Sequence, residues 1–265
     1  MNNYNTSKIP MATFSSMLAQ ASQSMVMVQQ KMSLIQQNAN NMSTVGFKEM
    51  ISTIIPDNNG GMTTRIKLNF SQGDMGAGGT NDAAIDGRGL FVTQSNDNTL
   101  VYTRAGEFSV IQQNNELFYG IRGRKALGYK IINGVTSSTL EPIAITDTNN
   151  VGILSDGTIA ENVDSDTPTP LYKLALAEFN NPEQLEIIDG ISYRPSAMTG
   201  EPYKIEPANS INGSRVVGQQ RELSNVDPTT LNIEMVNINR LLTMVQNTGF
   251  KAIDTAYKEA MKILG

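Results

Sequence analysis

The amino-acid sequence predicts an α+β protein with long N- and C-terminal α-helices, each carrying a coiled-coil-like seam that needs a helical partner, around a central, mostly antiparallel β domain. Three observations lead there. Phe14, Leu18, Ala21, Met25, Val28, Met32, Ile35, Ala39 and Met42 recur in alternating steps of four and three, a spacing that keeps one helix seam facing another helix. Leu231, Met235, Ile238, Leu242 and Val245 repeat that rhythm near the C-terminal end. The stretch between is rich in Gly, Thr, Asn and Pro around short apolar runs, which reads as strands and turns.

Residues 1–10 are polar and read as frayed. Pro10 stands where a helix can begin, and the helical pattern runs from Met11 to about Asn41. Between Ile9 and Phe47 the sole charge is Lys31. A coiled coil exposed to water carries Glu and Lys beside its seam, so an uncharged outer face suits a helix touched on several sides in a crowded assembly. The plainer alternative is one packed helix of a self-contained domain, because Met-rich stripes at this spacing are also ordinary core.

Gly46 closes the helical region. Ile51–Ile55 reads as a short strand before the Pro56–Gly61 turn, and Arg65–Phe70 alternates as a strand does. Ser71–Thr80 holds four glycines and is expected to be a flexible joint or irregular loop. Strands are then expected at 90–94 and 100–103 around a Ser95–Thr99 loop, and at 108–111, 117–119 and 126–132. Ile153–Ile159 encloses a Ser155-Asp156-Gly157 turn, Leu171–Phe179 is long enough for a central strand, and Arg215–Val217 ends the series. Their spacing suggests a partly open antiparallel barrel or sandwich. Asp227-Pro228 starts the second helix, whose seam meets Gly249, where a bend is expected.

Composition removes many functions. With no His and no Cys, thiol nucleophiles, Ser-His-Asp triads, disulfides and imidazole or thiolate metal sites are excluded. A formal net charge of −5 argues against a nucleic-acid surface, which needs concentrated Lys and Arg. The one basic knot, Arg122, Arg124 and Lys125, reads as a solvated turn. Met11–Gln23 is broken by Ser, Gln and Thr, so no secretory signal peptide is expected, and no stretch is apolar enough to span a bilayer. A carboxylate-only glycosidase stays open as an alternative, with Asp82/Asp86, Asp164/Asp166 or Glu183/Glu186 as its acids; the missing Trp weakens it, and turn roles are the simpler reading. Asp147–Gly152 begins like a calcium loop but has Val151 and Thr158 where ligands are needed. Asp86-Gly-Arg-Gly89 is too short for a phosphate loop. An extracellular adhesin module is a third possibility.

Four segments resemble the bacterial flagellar axial proteins, the rod and hook family. They are Met32–Lys48 (MSLIQQNANNMSTVGFK), Ser71-Gln-Gly73 followed by Ala84–Phe91 (AIDGRGLF), Tyr102–Ser109 (YTRAGEFS), and Leu223–Val226 (LSNV) leading to Glu234-Met-Val236 and Arg240. They occur in the family's order. Ile153–Thr158, Phe179–Leu185 and Arg215–Val217 look most like proximal-rod members, with distal-rod members next. The sequence departs from the family's pattern at Gln37-Asn38, at Asn40 and at Arg240-Leu-Leu242, with Tyr displaced to 257.

The resemblance implies that the two helices pair as a coiled-coil-like, discontinuous axial domain from residues 1–58 and 222–265, with a linking segment at 59–82 and a central β domain at 83–221. It implies a structural subunit of the basal-body rod, with no catalytic residue, cofactor, metal, nucleic acid or small-molecule substrate. Its partners would be other rod subunits and further copies of itself in a helical tube, and its export would run through the flagellar type III apparatus. The residues expected at the assembly interface are Leu18, Met25, Val28, Met32 and Ile35 with Leu231, Met235, Ile238, Leu242 and Val245.

Overall fold

The computed structural model describes residues 11–56, 62–146, 150–210 and 214–264, without side-chain detail at 11–18 and over much of the last turns. Helix α1 spans Met11–Asn40 and helix α2 spans Pro228–Leu264. Asp227 caps α2, accepting hydrogen bonds from the backbone N–H of Thr229 and Thr230 and from the Thr230 hydroxyl. Those bonds, the Thr230 hydroxyl first, hold its carboxyl below the usual range, and Pro228 behind it fits the first helical turn. The helix runs through Gly249 without a break.

The chain divides into two compact units, one of Met1–Ala39, Ser52–Ile66 and Asp227–Gly265, the other of Asn40–Ile51 and Lys67–Val226. The first corrects the expected fold class. Its helices do not pair as a coiled coil around a β domain; they share their buried faces with a hairpin of strands Met50–Pro56 and Met62–Leu68. Met27 and Lys31 of α1, Ile54 and Thr64 of the hairpin, and Leu241 and Val245 of α2 line one apolar groove of about 180 Å³. Among the described residues of α1 the buried side chains are Val28, Leu34, Ile35 and Asn38; Leu34 and Asn38 lie off the heptad stripe. On α2, Leu231 and Ile238 are buried while Met235 between them is 36% exposed. A three-element contact selects a broad face at the natural helical period, whereas a two-helix seam would select strict heptad positions.

The second unit is built on one antiparallel network of thirteen strands. Its hub is the strand Thr169–Glu178, whose N-terminal half pairs with Thr158–Glu161 and Arg124–Ile132 and whose C-terminal half pairs with Leu90–Gln94 and Lys204–Pro207. Three successive hairpins turn on two residues, Asn114-Asn115, Arg122-Gly123 and Asn133-Gly134, each with positive φ at both positions. That is the turn whose twist matches the flanking strands, and it explains the Asn and Gly of this region. The basic knot is thereby dispersed: Arg122 is a turn residue, Arg124 pairs with Asp189 at 2.7 Å, and Lys125 lies over the Phe118 ring.

Two short ribbons stand apart from this network. Ala83–Asp86 pairs with Arg215–Gly218, and Met75–Ala77 pairs with Gln220–Glu222. The latter places a strand inside the expected flexible joint.

The core holds an aromatic chain, Phe91 edge-on to Phe108 and Phe108 stacked on Tyr119, with Tyr102 edge-on to Phe179. Tyr102, Tyr119 and Tyr193 are fully buried. Burial pushes the Tyr102 phenol up to about 12 and raises Tyr119 and Tyr193 further. From about pH 10 upward the unfolded chain therefore releases phenolic protons that the native chain keeps. Stability is unaffected by these groups below that pH and falls as pH climbs through it. In an alkaline titration, phenolate absorbance from these three tyrosines is expected to appear together with loss of circular dichroism. Gradual ionisation with the dichroism intact would contradict the burial.

Candidate functional site

The four signature segments converge on one buried group of charges. After α1, residues Asn41–Gly46 form a turn in which Thr44 bonds Asn41 through backbone and side chain. Gly46 has φ +70°, and a Cβ there would lie 2.3 Å from the Ala105 nitrogen. The chain then carries Phe47 and Lys48 into the interior, both fully buried. Lys48 Nζ donates to Glu222 Oε1 and to the Ser71 carbonyl, each at 2.6 Å.

Glu222, also fully buried, is the centre. Its Oε1 additionally accepts the Gly73 N–H at 3.0 Å, and its Oε2 accepts Arg104 Nε at 2.7 Å. Arg104 spends its other N–H groups on the carbonyls of Gly87, Gly89 and Ile85 and on Gln72 Oε1. All five guanidinium donors are thus matched. Burial pulls the Lys48 amine below its ordinary value, Glu222 opposes that, and Arg104 adds to it. Burial likewise lowers Arg104 against the pull of Glu222.

Asn225 completes the arrangement at the C-terminal side. Its Oδ1 accepts the Glu49 N–H at 2.7 Å, while its Nδ2 donates to the Asn69 carbonyl and to Ser71. Gly46 N–H donates to the Glu222 carbonyl at 2.7 Å. Each signature segment therefore supplies a part: Lys48 from the first, Gln72 and Gly73 with Ile85, Gly87 and Gly89 from the second, Arg104 from the third and Asn225 from the fourth. The cluster fastens chain segments: Arg104 is matched on all five donors and Lys48 makes two charged hydrogen bonds.

Glu222 escaped the sequence reading, which began the fourth segment one residue later. The signal available was a pair of cations, Lys48 and Arg104, set among Val, Gly, Phe and Ala. Buried cations in such company require a buried carboxylate.

Gly106 shows how tightly the third segment is held. A Cβ there would fall 1.6 Å from the Ala83 carbonyl oxygen, and the Ala83 N–H donates to the Gly106 carbonyl at 2.9 Å. Gly106→Ala is expected to cost more than about 3 kcal/mol, beyond the range of most single substitutions, measured as a shifted urea midpoint of the full chain.

Of the candidate carboxylates, three are in ion pairs. Asp82 binds Arg221 at 2.8 Å, Asp86 binds Arg215 at 2.8 Å, and Glu186 binds Arg194 at 2.7 Å. Asp164 and Asp166 are exposed. The calcium-like segment falls partly on 147–149, outside the described residues. Among the described residues no cluster of His, Cys, Asp and Glu could hold a metal ion, and no helix is long and apolar enough to cross a membrane.

The expected interface residues lie in the first unit. Val28, Ile35, Leu231 and Ile238 are buried there, Met25, Met32, Leu242 and Val245 are half-buried, and Met235 is exposed. The Leu18 side chain is outside the described residues. Lys31 and Glu234 form an ion pair at 3.7 Å in this unit. Of the departing pair Gln37-Asn38, Asn38 is the buried member and Gln37 the exposed one.

Residues 84–161 match the model of the flagellar hook protein FlgE/F/G D1 domain. The flagellar basal-body rod protein FlgG of Bacillus subtilis is 30% identical over 238 residues, covering 80% of this chain and 85% of that protein. The chain belongs to the flagellar rod and hook family. FlgG of Buchnera aphidicola from Acyrthosiphon pisum is 30% identical over 161 residues, 60% of this chain and 56% of that protein. The flagellar hook protein FlgE of Brucella melitensis is 26% identical over 220 residues, 76% of this chain and 54% of that protein. The chain thus spans little more than half the length of several family relatives. The domain match covers Ile85, Gly87, Gly89 and Arg104, so the family's shared region includes Arg104 and the carbonyls that bind it.

Proposed function

We propose that this protein is a non-enzymatic structural subunit of the flagellar basal-body rod, polymerising through its terminal helices into a helical tube. The observation behind this is the second apolar face of α2. Ile233, Val236 and Met244 are 58%, 50% and 58% exposed and fall on one side of the helix, away from the buried Leu231 and Ile238. Helix α1 adds an exposed face of Ala, Ser, Gln and Val with hardly any charge. Surfaces of this kind are suited to neighbouring subunits, and head-to-tail contacts that do not close give an open helical array. Its partners are then rod subunits, including further copies of itself, and its route outward is the flagellar type III apparatus.

Within the rod we place it proximally, as a FlgF-like subunit, on the strength of Ile153–Thr158, Phe179–Leu185 and Arg215–Val217. A distal-rod position is the second reading, favoured by the extended match to FlgG of Bacillus subtilis. The test is a tagged chromosomal copy followed into purified basal bodies. The tag is expected in the rod, with motility lost on deletion. A tagged chain found only in the soluble fraction, in motile cells, would refute the proposal. Rods arrested at different lengths in the deletion strain separate proximal from distal.

A further inference from the structure

We propose that the Lys48–Glu222–Arg104 cluster is a latch that holds and releases the roots of both terminal helices together. Lys48 follows α1 by a short turn, and Glu222 precedes the Asp227 cap of α2 by a few residues. The segments 45–50, 69–78 and 219–226 belong to none of the thirteen strands of the main network. They hold one another instead. Gly46 bonds Glu222, Asn69 N–H bonds the Glu49 carbonyl at 2.8 Å, Leu223 N–H bonds the Asp74 carbonyl at 2.8 Å and Gly78 N–H bonds the Gln219 carbonyl at 2.9 Å. Asn225 crosses from the last segment to the other two. Their fully buried ionic tie to the sheet is Arg104, which directly follows the strand Leu100–Thr103.

The charges make this group all-or-none. Glu222 is the shared counter-charge of one cation from the N-terminal root and one from the sheet. If the C-terminal root alone pulled away, Lys48 and Arg104 would be left buried without a carboxylate, the costliest state for an ion. If Lys48 alone left, Glu222 and the Ser71 carbonyl would each lose a charged donor in a dry site. Partial opening is therefore less favourable than opening of all three segments into water, which hydrates every charge at once. Such a unit opens below the free energy of global unfolding. The consequence is that the two segments leading into the helices, far apart in sequence, open and close as one. This follows from the geometry and is independent of the position in the rod.

Hydrogen exchange of the full chain under native conditions tests it. In Glu222→Gln, amides in 45–50, 69–78 and 219–226 are expected to exchange faster as one group, by ~100-fold or more, and to remain less protected than Leu90–Gln94 and Thr169–Glu178, which exchange on global unfolding. Lys48→Met leaves Arg104 paired with Glu222 and is expected to accelerate the same three segments by a smaller, ~10-fold factor. If Lys48→Met affects 45–50 alone, the roots open independently and the latch is wrong. Three segments that exchange at rates independent of one another, or no acceleration anywhere, overturn it as well. Should Glu222→Gln not fold, the Lys48→Met pattern decides alone.

Discussion

Glu222→Ala is expected to lower the unfolding free energy of the sheet unit by about 3–5 kcal/mol, the range for breaking a buried ion pair by removing one partner. The size follows from what is left behind. Lys48 and Arg104 stay buried, each having lost its only carboxylate. Gly73 N–H loses its acceptor as well. The control is a pair of the same chemistry at the surface. Asp86 and Arg215 form a 2.8 Å bridge with 47% and 69% exposure, and Asp86→Ala is expected to change stability by less than about 1 kcal/mol. Urea midpoints of both variants, followed by near-ultraviolet dichroism of the buried tyrosines, give the comparison. Equal shifts would mean that burial is not what makes the cluster matter.

The contrast also bears on how the cluster reports on pH. The Lys48 amine sits below its ordinary value in the fold, so the unfolded chain binds more protons in the window beneath the ordinary lysine range. There its contribution to stability rises with pH. The buried phenols act in the opposite sense above about pH 10, and with three of them fully buried they set the sign of the alkaline limb.

What could be read from sequence followed locality. Asp227-Pro228 marked the start of α2 because a cap is a short-range device. Ser155-Asp156-Gly157 marked a turn for the same reason, and the apolar run at 171–179 became the hub strand. The strand Val135–Pro142 went unread: it is largely exposed, lacks apolar alternation, and is held by backbone pairing with Arg124–Ile132. Met75–Ala77 depends on Gln220–Glu222, a partner distant in sequence, and nothing local announces it. The heptad stripes were real in sequence, yet Leu34 and Asn38 are buried off-stripe because the hairpin Met50–Pro56/Met62–Leu68 joins the packing. Of the cluster, Lys48, Arg104 and Asn225 stood inside recognisable segments; Glu222 did not, since a lone glutamate in an edge segment ordinarily means surface.

Deleting residues 229–265 is expected to abolish entry into basal bodies while the sheet unit stays folded. The deletion starts beyond Glu222, Asn225 and the Asp227 cap, so every bond of the buried cluster remains available. What it removes is Leu231 and Ile238 from the buried face of the terminal unit and the exposed apolar side of α2 from whatever it meets. Two point variants separate those losses. Ile238→Asp buries a carboxylate at a position 3% exposed and is expected to disorder the terminal unit, by several kcal/mol for an unpaired buried charge. Met244→Asp places the same charge on a side chain 58% exposed, where an isolated subunit should change by no more than about 0.5 kcal/mol. If that face packs against neighbouring subunits, Met244→Asp nonetheless stops incorporation, because the carboxylate is then desolvated in the assembly. A Met244→Asp subunit that is stable in isolation and enters rods at the wild-type level would remove the outer face of α2 from the assembly interface. The packing role of α2 would then account for the deletion by itself.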